Sequence, residues 1–361
     1  MPPLKLSRGV DNLLDVIFEK TFLTSGIAKY KTDFVASDIR LRSFCFIEEL
    51  KKRKIEVEAM RTLFGYNNQF RIKINNIIFR FETLPIINPS NAAMADDKES
   101  VKCCLKENNL PIADGRSFWL WQKKEAIKFG IKLGYPLIVK PRVGSASQHV
   151  TTNILDENQL EKAIKYAATY SPAFIIEKFI PDTFVFRATV VDFNFVVVVQ
   201  QIPANITGDG KSTIRQLIDS KNSDRENENK LLYKITENEM TKELLKDKKY
   251  NYSTILKKNE LLFLQKDPFL KLGGDLMEVT KAVHRNNLKL FKDVAKLFNI
   301  HLVGIDFLAK DISVSWQEQT CAILELNNMP CIELHHFPSS GVPTNPAKAV
   351  ADMFFKYFVN K

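Results

Sequence analysis

The sequence predicts an α+β protein built of two or three lobes, and three observations carry that prediction. The chain has 361 residues, 45% of them hydrophobic, which exceeds one average domain and provides for more than one core. Helical apolar patterns alternate with short strand-like runs over most of its length. Two adjoining apolar runs, RATVVDF and NFVVVVQQIP, are separated by only a few polar residues, a spacing that suits a hairpin rather than a crossover and so predicts antiparallel pairing.

The elements follow in order. RSFCFIEELKKRK has helical spacing and leads into the alternating run IEVEAM and then INNIIFRFE, which together read as a small α/β lobe over 1–92. The turn-rich TLPIINPSN closes that lobe, and DDKESVKCCLKENNLP reads as a short amphipathic helix stopped by Asn109 and Pro111. A second lobe, 93–173, then contains the strand YPLIVKP and the helix DENQLEKAIKYAATY, and it ends as AFIIEKFI begins. The third, 174–361, includes the predicted hairpin, the helix RNNLKLFKDVAKLFN and two closing strands. Within it, 219–260 is dense in Lys, Asn and Glu with little periodicity, as expected of a solvated helical insert or a mobile loop, though such a run can also clamp an anion.

Composition narrows the partners. Fifty-two basic residues against 42 acidic give a formal charge of +10, which favours anionic partners: nucleic acid, acidic lipid or a polyphosphate. The five cysteines show no paired metal spacing and predict reduced, mostly buried thiols. MPPLKLSRGVDNLL has no signal-peptide pattern and FNFVVVV is too short to span a bilayer, so a cytoplasmic setting without membrane attachment is expected.

Three stretches can carry chemistry. In VGIDFLAKD and AILELNN, strand alternation puts Glu325 and Asn327 on one face, and Asp306 can join them from a neighbouring strand. Three hard oxygen donors suit magnesium, which takes one or two carboxylates and leaves room for water and phosphate; the alternative is three polar residues satisfied at strand ends. Lys140 ends the strand YPLIVKP, and the turn after it offers Gly144, Ser145 and Ser147, either as a phosphate wrap or as a plain turn. IIEKFIPDTFVFRATVV can present backbone edges and an apolar wall to a planar base, with Arg187 directed towards anionic groups, or it is an ordinary strand with exposed charges.

The joint order of DDKESVKCCLKENNLPIADG, LGYPLIVKP, IIEKFIP, ANITGDGKSTIRQLIDSKN, LKLGGDLMEVTKAVH, LVGIDFLAKDIS and AILELNNMP resembles the ATP-grasp superfamily, in its cyanophycin synthetase-like and bifunctional glutathione synthetase-like branch. The resemblance covers about 93–357 and makes 1–92 a pre-ATP-grasp lobe. It implies two α+β subdomains clasping ATP, and an ADP-forming ligation of small-molecule carboxylate and amine substrates, amino acids or peptides, through an acylphosphate. It further implies Lys98 and Lys140 at the nucleotide phosphates, Glu177 with Lys178, Phe179 and Ile180 at the adenine, and Asp306, Glu325 and Asn327 around Mg2+, with Mn2+ as a substitute. Arg187 takes the place of the family's arginine that meets phosphate or the substrate carboxylate, and Lys211 lies in a turn near the active site.

The chain departs from the family at three places. The phosphate-covering loop has one glycine, and Val185 replaces an acid that holds the ribose, with Asp182 as the candidate substitute. Gln265 stands where the family has an arginine that steadies the acylphosphate, which leaves Lys266 or Lys271 to supply that charge. These departures keep open a catalytically weak ATP-binding regulator. Nucleic-acid binding rests on charge alone and is not expected, and a homo-oligomer is compatible with the sequence.

Overall fold

The computed structural model describes residues 21–87, 89–95, 97–143, 149–228 and 231–360. Its first lobe is an antiparallel sheet, β1 (Lys29–Lys31), β2 (Val57–Thr62), β3 (Gly65–Ile74) and β4 (Ile77–Glu82), paired in chain order. Helix α1 (Leu41–Lys52) buries Phe46, Ile47 and Leu50 against it, the helical spacing read from the sequence. Phe46 meets Phe81 edge-on at 5.4 Å between ring centroids, and Phe81 stacks on Phe70 at 5.4 Å.

Helix α2 (Lys98–Glu107) follows, capped by the Asp97 carboxylate, which accepts from the Glu99 N–H. The division at residue 93 groups this helix with the second lobe, but Val101 and Leu105 are buried in the core of the third. The second lobe proper is an antiparallel sheet in the order β5 (Gly115–Trp119), β8 (Ala173–Lys178), β6 (Leu137–Pro141), β7 (Thr151–Ile154). Helices α3 (Lys123–Leu133) and α4 (Glu157–Ala168) cover it, and Phe118, Leu137, Leu160, Ile164 and Phe174 fill the space between.

The third lobe holds the five-stranded antiparallel sheet β13 (Asp275–Glu278), β10 (Phe195–Ile202), β9 (Phe184–Val191), β14 (Leu302–Ala309), β15 (Ala322–Asn327). The hairpin of β9 and β10 is the one predicted. Helix α7 (Arg285–Leu297) packs Leu290, Phe291 and Val294 against Phe186, Val190 and Phe307 on one face of the sheet. The short helix α8 (Glu333–His336) lies over the other face. The last helix, α9 (Pro346–Phe354), returns to the first lobe: Val350, Ala351 and Phe354 belong to its core, and Phe79 meets Phe354 at 5.3 Å.

The polar stretch 219–260 holds largely solvated helix, as expected, and also contributes to a core of its own. It forms most of a small folded unit in which the β11 (Asn205–Thr207) and β12 (Leu261–Phe263) pair and helices α5 (Ile214–Glu228) and α6 (Glu239–Asp247) enclose Ile214, Ile218, Ile235, Leu245, Leu256, Leu262 and Leu264. Its apolar residues are spread over turns and short elements, which is why periodicity did not show them. A buried ionic clasp ties the unit to the sheet: Asp275 accepts from Lys221 and Arg225, each at 2.6 Å, and from Asn205 at 2.9 Å. No helix among the described residues is long and apolar enough to cross a membrane.

Candidate functional site

Strand register lines up a row of side chains across the five-stranded sheet. Glu278 faces Val199, Val199 faces Arg187, Arg187 faces Asp306, and Asp306 faces Glu325. Residues opposite one another in antiparallel ladders project from the same side, so the row is one surface. Asn327, two residues beyond Glu325, joins that surface: its amide lies 3.5 Å from Asp306 Oδ2 and 3.4 Å from Glu325 Oε1. A bulge follows at once, because Phe307 faces Ile323 and leaves Leu324 as an extra residue. The alternation read from the sequence therefore does bring Asp306, Glu325 and Asn327 together.

Their charges are balanced from both sides. Arg187 engages both oxygens of Asp306, through Nε to Oδ1 and through Nη2 to Oδ2 at 2.8 Å, and the pair is almost wholly buried. Burial pushes the Asp306 carboxyl up against the pull of Arg187, with the neighbouring Glu325 adding to the rise. Burial also opposes charge on Glu325, but Lys98 leads the groups that hold it below the usual range. Lys98 Nζ reaches across from α2 to Glu325 Oε2 at 3.5 Å. At the far end of the face, His335 Nε2 lies 2.8 Å from Thr189 Oγ1 and its Nδ1 3.6 Å from Glu278 Oε2.

A second buried cluster faces this one. Glu177 lies between Lys102 and Lys140, with one carboxylate oxygen 2.8 Å from each ammonium. Burial works against its charge, and Lys140 and Lys102 more than offset that. Glu177 is thus engaged with the two lysines. Lys102 escaped the sequence reading; the signal was its place one turn after Lys98, next to the buried Val101 in α2. Asp97, the cap of that helix, also accepts two bonds from Arg142, at 2.8 and 2.7 Å, just before the phosphate-loop candidates.

Other candidates fall elsewhere. Lys178 donates to the carbonyls of Gly134 and Tyr135, at 3.0 and 2.7 Å, which ties its ammonium to the end of α3. The Phe179 N–H is given to Pro136 O at 3.0 Å, leaving its carbonyl and Ile180 as the backbone edge. Asp182 is exposed in a turn with φ +54°, and Lys211 is exposed on a turn closed by Asp209. Gly144, Ser145 and Ser147 lie outside the described residues. Gln265 is buried and its Nε2 donates to Thr236 O, Asn238 Oδ1 and Thr241 Oγ1, at 2.9, 3.1 and 3.0 Å, a structural tie within the inserted unit. Lys266 and Lys271 are exposed on the segment that follows it.

A buried and a half-buried carboxylate with an amide, all hard oxygen donors on one surface, fit a magnesium ion that completes its shell with phosphate and water. Asp306 and Glu325 would hold it, since each carboxylate has lone pairs beyond those given to Arg187 and Lys98.

No family model matches the chain. Among curated proteins, it is 32% identical over 267 residues to the cyanophycin synthetase of Synechocystis sp., which covers 73% of this chain and 30% of the relative. It is 27% identical over 278 residues to the glutathione biosynthesis bifunctional protein GshAB of Listeria welshimeri, covering 74% and 35%. The chain thus spans about a third of the length of the relatives it matches. Among solved structures, the bifunctional glutathione synthetase from Pasteurella multocida superimposes with a TM-score of 0.66 at 18% identity, over 88% of this chain and 44% of that one. The fold is that of the ATP-grasp proteins.

Proposed function

We propose that this ATP-grasp chain, similar in sequence to cyanophycin synthetases, is an ATP-dependent carboxylate–amine ligase acting on amino-acid or peptide-like substrates. One observation carries the reading: the Arg187, Asp306, Glu325 and Asn327 surface of one sheet meets the lysines of α2 and β6, with Lys98 bridging to Glu325.

In this reading a substrate carboxylate oxygen attacks the γ-phosphorus of ATP, the bond to the β,γ-bridging oxygen breaks, and ADP leaves. The resulting acylphosphate is then attacked at carbon by an amine, which loses a proton as inorganic phosphate departs with the C–O electron pair. Such chemistry needs positioning and charge neutralisation and no protein nucleophile. Lys98 and Lys140 hold the phosphates, and Lys102 keeps Glu177 paired when Lys140 turns to the nucleotide. The Phe179 carbonyl and the Ile180 N–H offer the adenine an edge, while Arg187 fixes Asp306. A magnesium ion bound by Asp306, Glu325 and Asn327 supplies charge neutralisation at the phosphates, and Mn2+ would substitute. The positive net charge serves the triphosphate, and the setting proposed is the cytoplasm, with self-association compatible.

A second reading has a specific support. Gln265 spends its amide on the inserted unit, so no cation stands at that position to steady an acylphosphate. A nucleotide-binding regulator with weak turnover would accommodate this. Incubation with Mg·ATP and pooled amino acids separates the two: ADP release that depends on an added amino acid supports ligation, and tight nucleotide binding without turnover on any substrate supports the regulator.

A further inference from the structure

The segment that leaves the metal-site strand is gripped by the first lobe. Arg42, on α1, directs three nitrogens at alternate residues of it. Nη1 donates to Met329 O at 2.8 Å, Nη2 lies 2.8 Å from Cys331 Sγ, and Nε lies 3.3 Å from Glu333 Oε1. Between those contacts, Ile332 is fully buried in the first lobe's core. Pro330 is buried and lies beside Gly304 of β14. A Cβ built on Gly304 would stand 3.1 Å from Pro330 Cβ and 3.2 Å from Arg187 Nη1, so the proline and the guanidinium both lie close against that glycine. The same guanidinium holds Asp306 with two bonds.

We infer that Arg42 is a positioning residue for the metal site: by fixing Met329, Cys331 and Glu333 it seats Pro330 beside Arg187, which in turn holds Asp306 in register with Glu325. The inference rests on the metal site of the proposed ligase. Arg42 touches none of the three oxygen donors, and it lies outside the part of the chain that resembles the ATP-grasp segments. Its planar fork suits two acceptors and a carboxylate spaced along one segment, which a lysine cannot match. Residues that orient metal ligands from outside their shell weaken metal affinity by about 10- to 100-fold when replaced.

The test measures Mn2+ binding to the full chain by electron paramagnetic resonance at saturating AMPPNP. Wild type and Glu325→Gln come first: equal Mn2+ affinity in the two overturns the metal-site reading and the inference with it. With that arm intact, Arg42→Met is expected to weaken Mn2+ about tenfold and Arg42→Lys about threefold, with metal-free AMPPNP affinity unchanged. Arg53→Met is the control for mere lobe docking, because Arg53 also bridges the first lobe to α9, at 2.5 Å to Asp352. It is expected to lower the melting temperature and leave Mn2+ affinity alone. Wild-type affinity in Arg42→Met, or an equal loss in Arg53→Met, overturns the inference. Should Arg42→Met fail to fold, wild-type affinity in Arg42→Lys overturns it.

Discussion

Glu177 carries a full charge in a position that water hardly reaches, and only the flanking Lys102 and Lys140 make that tolerable. Removing one partner of such a group costs about 3 kcal/mol or more, so Lys102→Met should lower the unfolding free energy by about that amount in urea titration. A loss near zero would mean that Lys140 alone neutralises Glu177. The buried histidines set the response to acid. His336 is held down to about 4, first by burial and then by His335, and burial likewise lowers His335. Both are neutral when folded and gain protons more readily when unfolded, so the stability they contribute is present above about 6.5 and is lost as pH falls towards 4. Asp306, raised by burial, works in the opposite direction over part of that window. Urea midpoints should therefore decline between pH 7 and 4.5, and His336→Gln should flatten the decline; an unchanged slope in that variant would remove His336 as a cause. The meeting of Asp306, Glu325 and Asn327 on one face was legible because strand alternation fixes which residues share a face. Lys102, Arg142 and Arg42 were not, because their partners are 75, 45 and 287 or more residues away in the chain.

Elements follow the same division. The β9–β10 hairpin was readable because its two halves adjoin and its runs are mostly apolar, whereas β5 and β13 have few apolar residues and are strands only because long-range partners pair with them. The inserted unit shows the limit most clearly: its core residues are scattered among lysines and asparagines, and nothing local announces that they meet. The segment before β13 depends on Gly273, which has φ +88° and approaches the chain so closely that an added Cβ would lie 2.4 Å from Ile235 Cα. Gly273→Ala has to strain the backbone and part the insert from the sheet. It should destabilise by about 2 kcal/mol or more, read as a drop in melting temperature, while Gly65→Ala, at φ +105° with no atom within 4 Å of an added Cβ, tests whether any left-handed glycine gives the same loss.

At the scale of the whole molecule, the lobes are not independent. The C-terminal helix α9 completes the core of the first lobe, with Val350, Ala351, Met353 and Phe354 all buried there. A chain starting at residue 93 would expose that face, and it should be recovered as aggregate or with a melting transition many degrees lower; a soluble, cooperatively melting product would show that the lobe is dispensable. The same interdependence brings Lys98 of α2 to Glu325 of β15, beside Asp306 of β14, and the account stands on that meeting. The most direct test is calorimetric titration of AMPPNP into the wild-type chain and Glu325→Gln, each with and without Mg2+. The account predicts that Mg2+ strengthens binding at least tenfold in wild type and has little effect in Glu325→Gln. Nucleotide affinity indifferent to Mg2+ in the wild-type chain would contradict it.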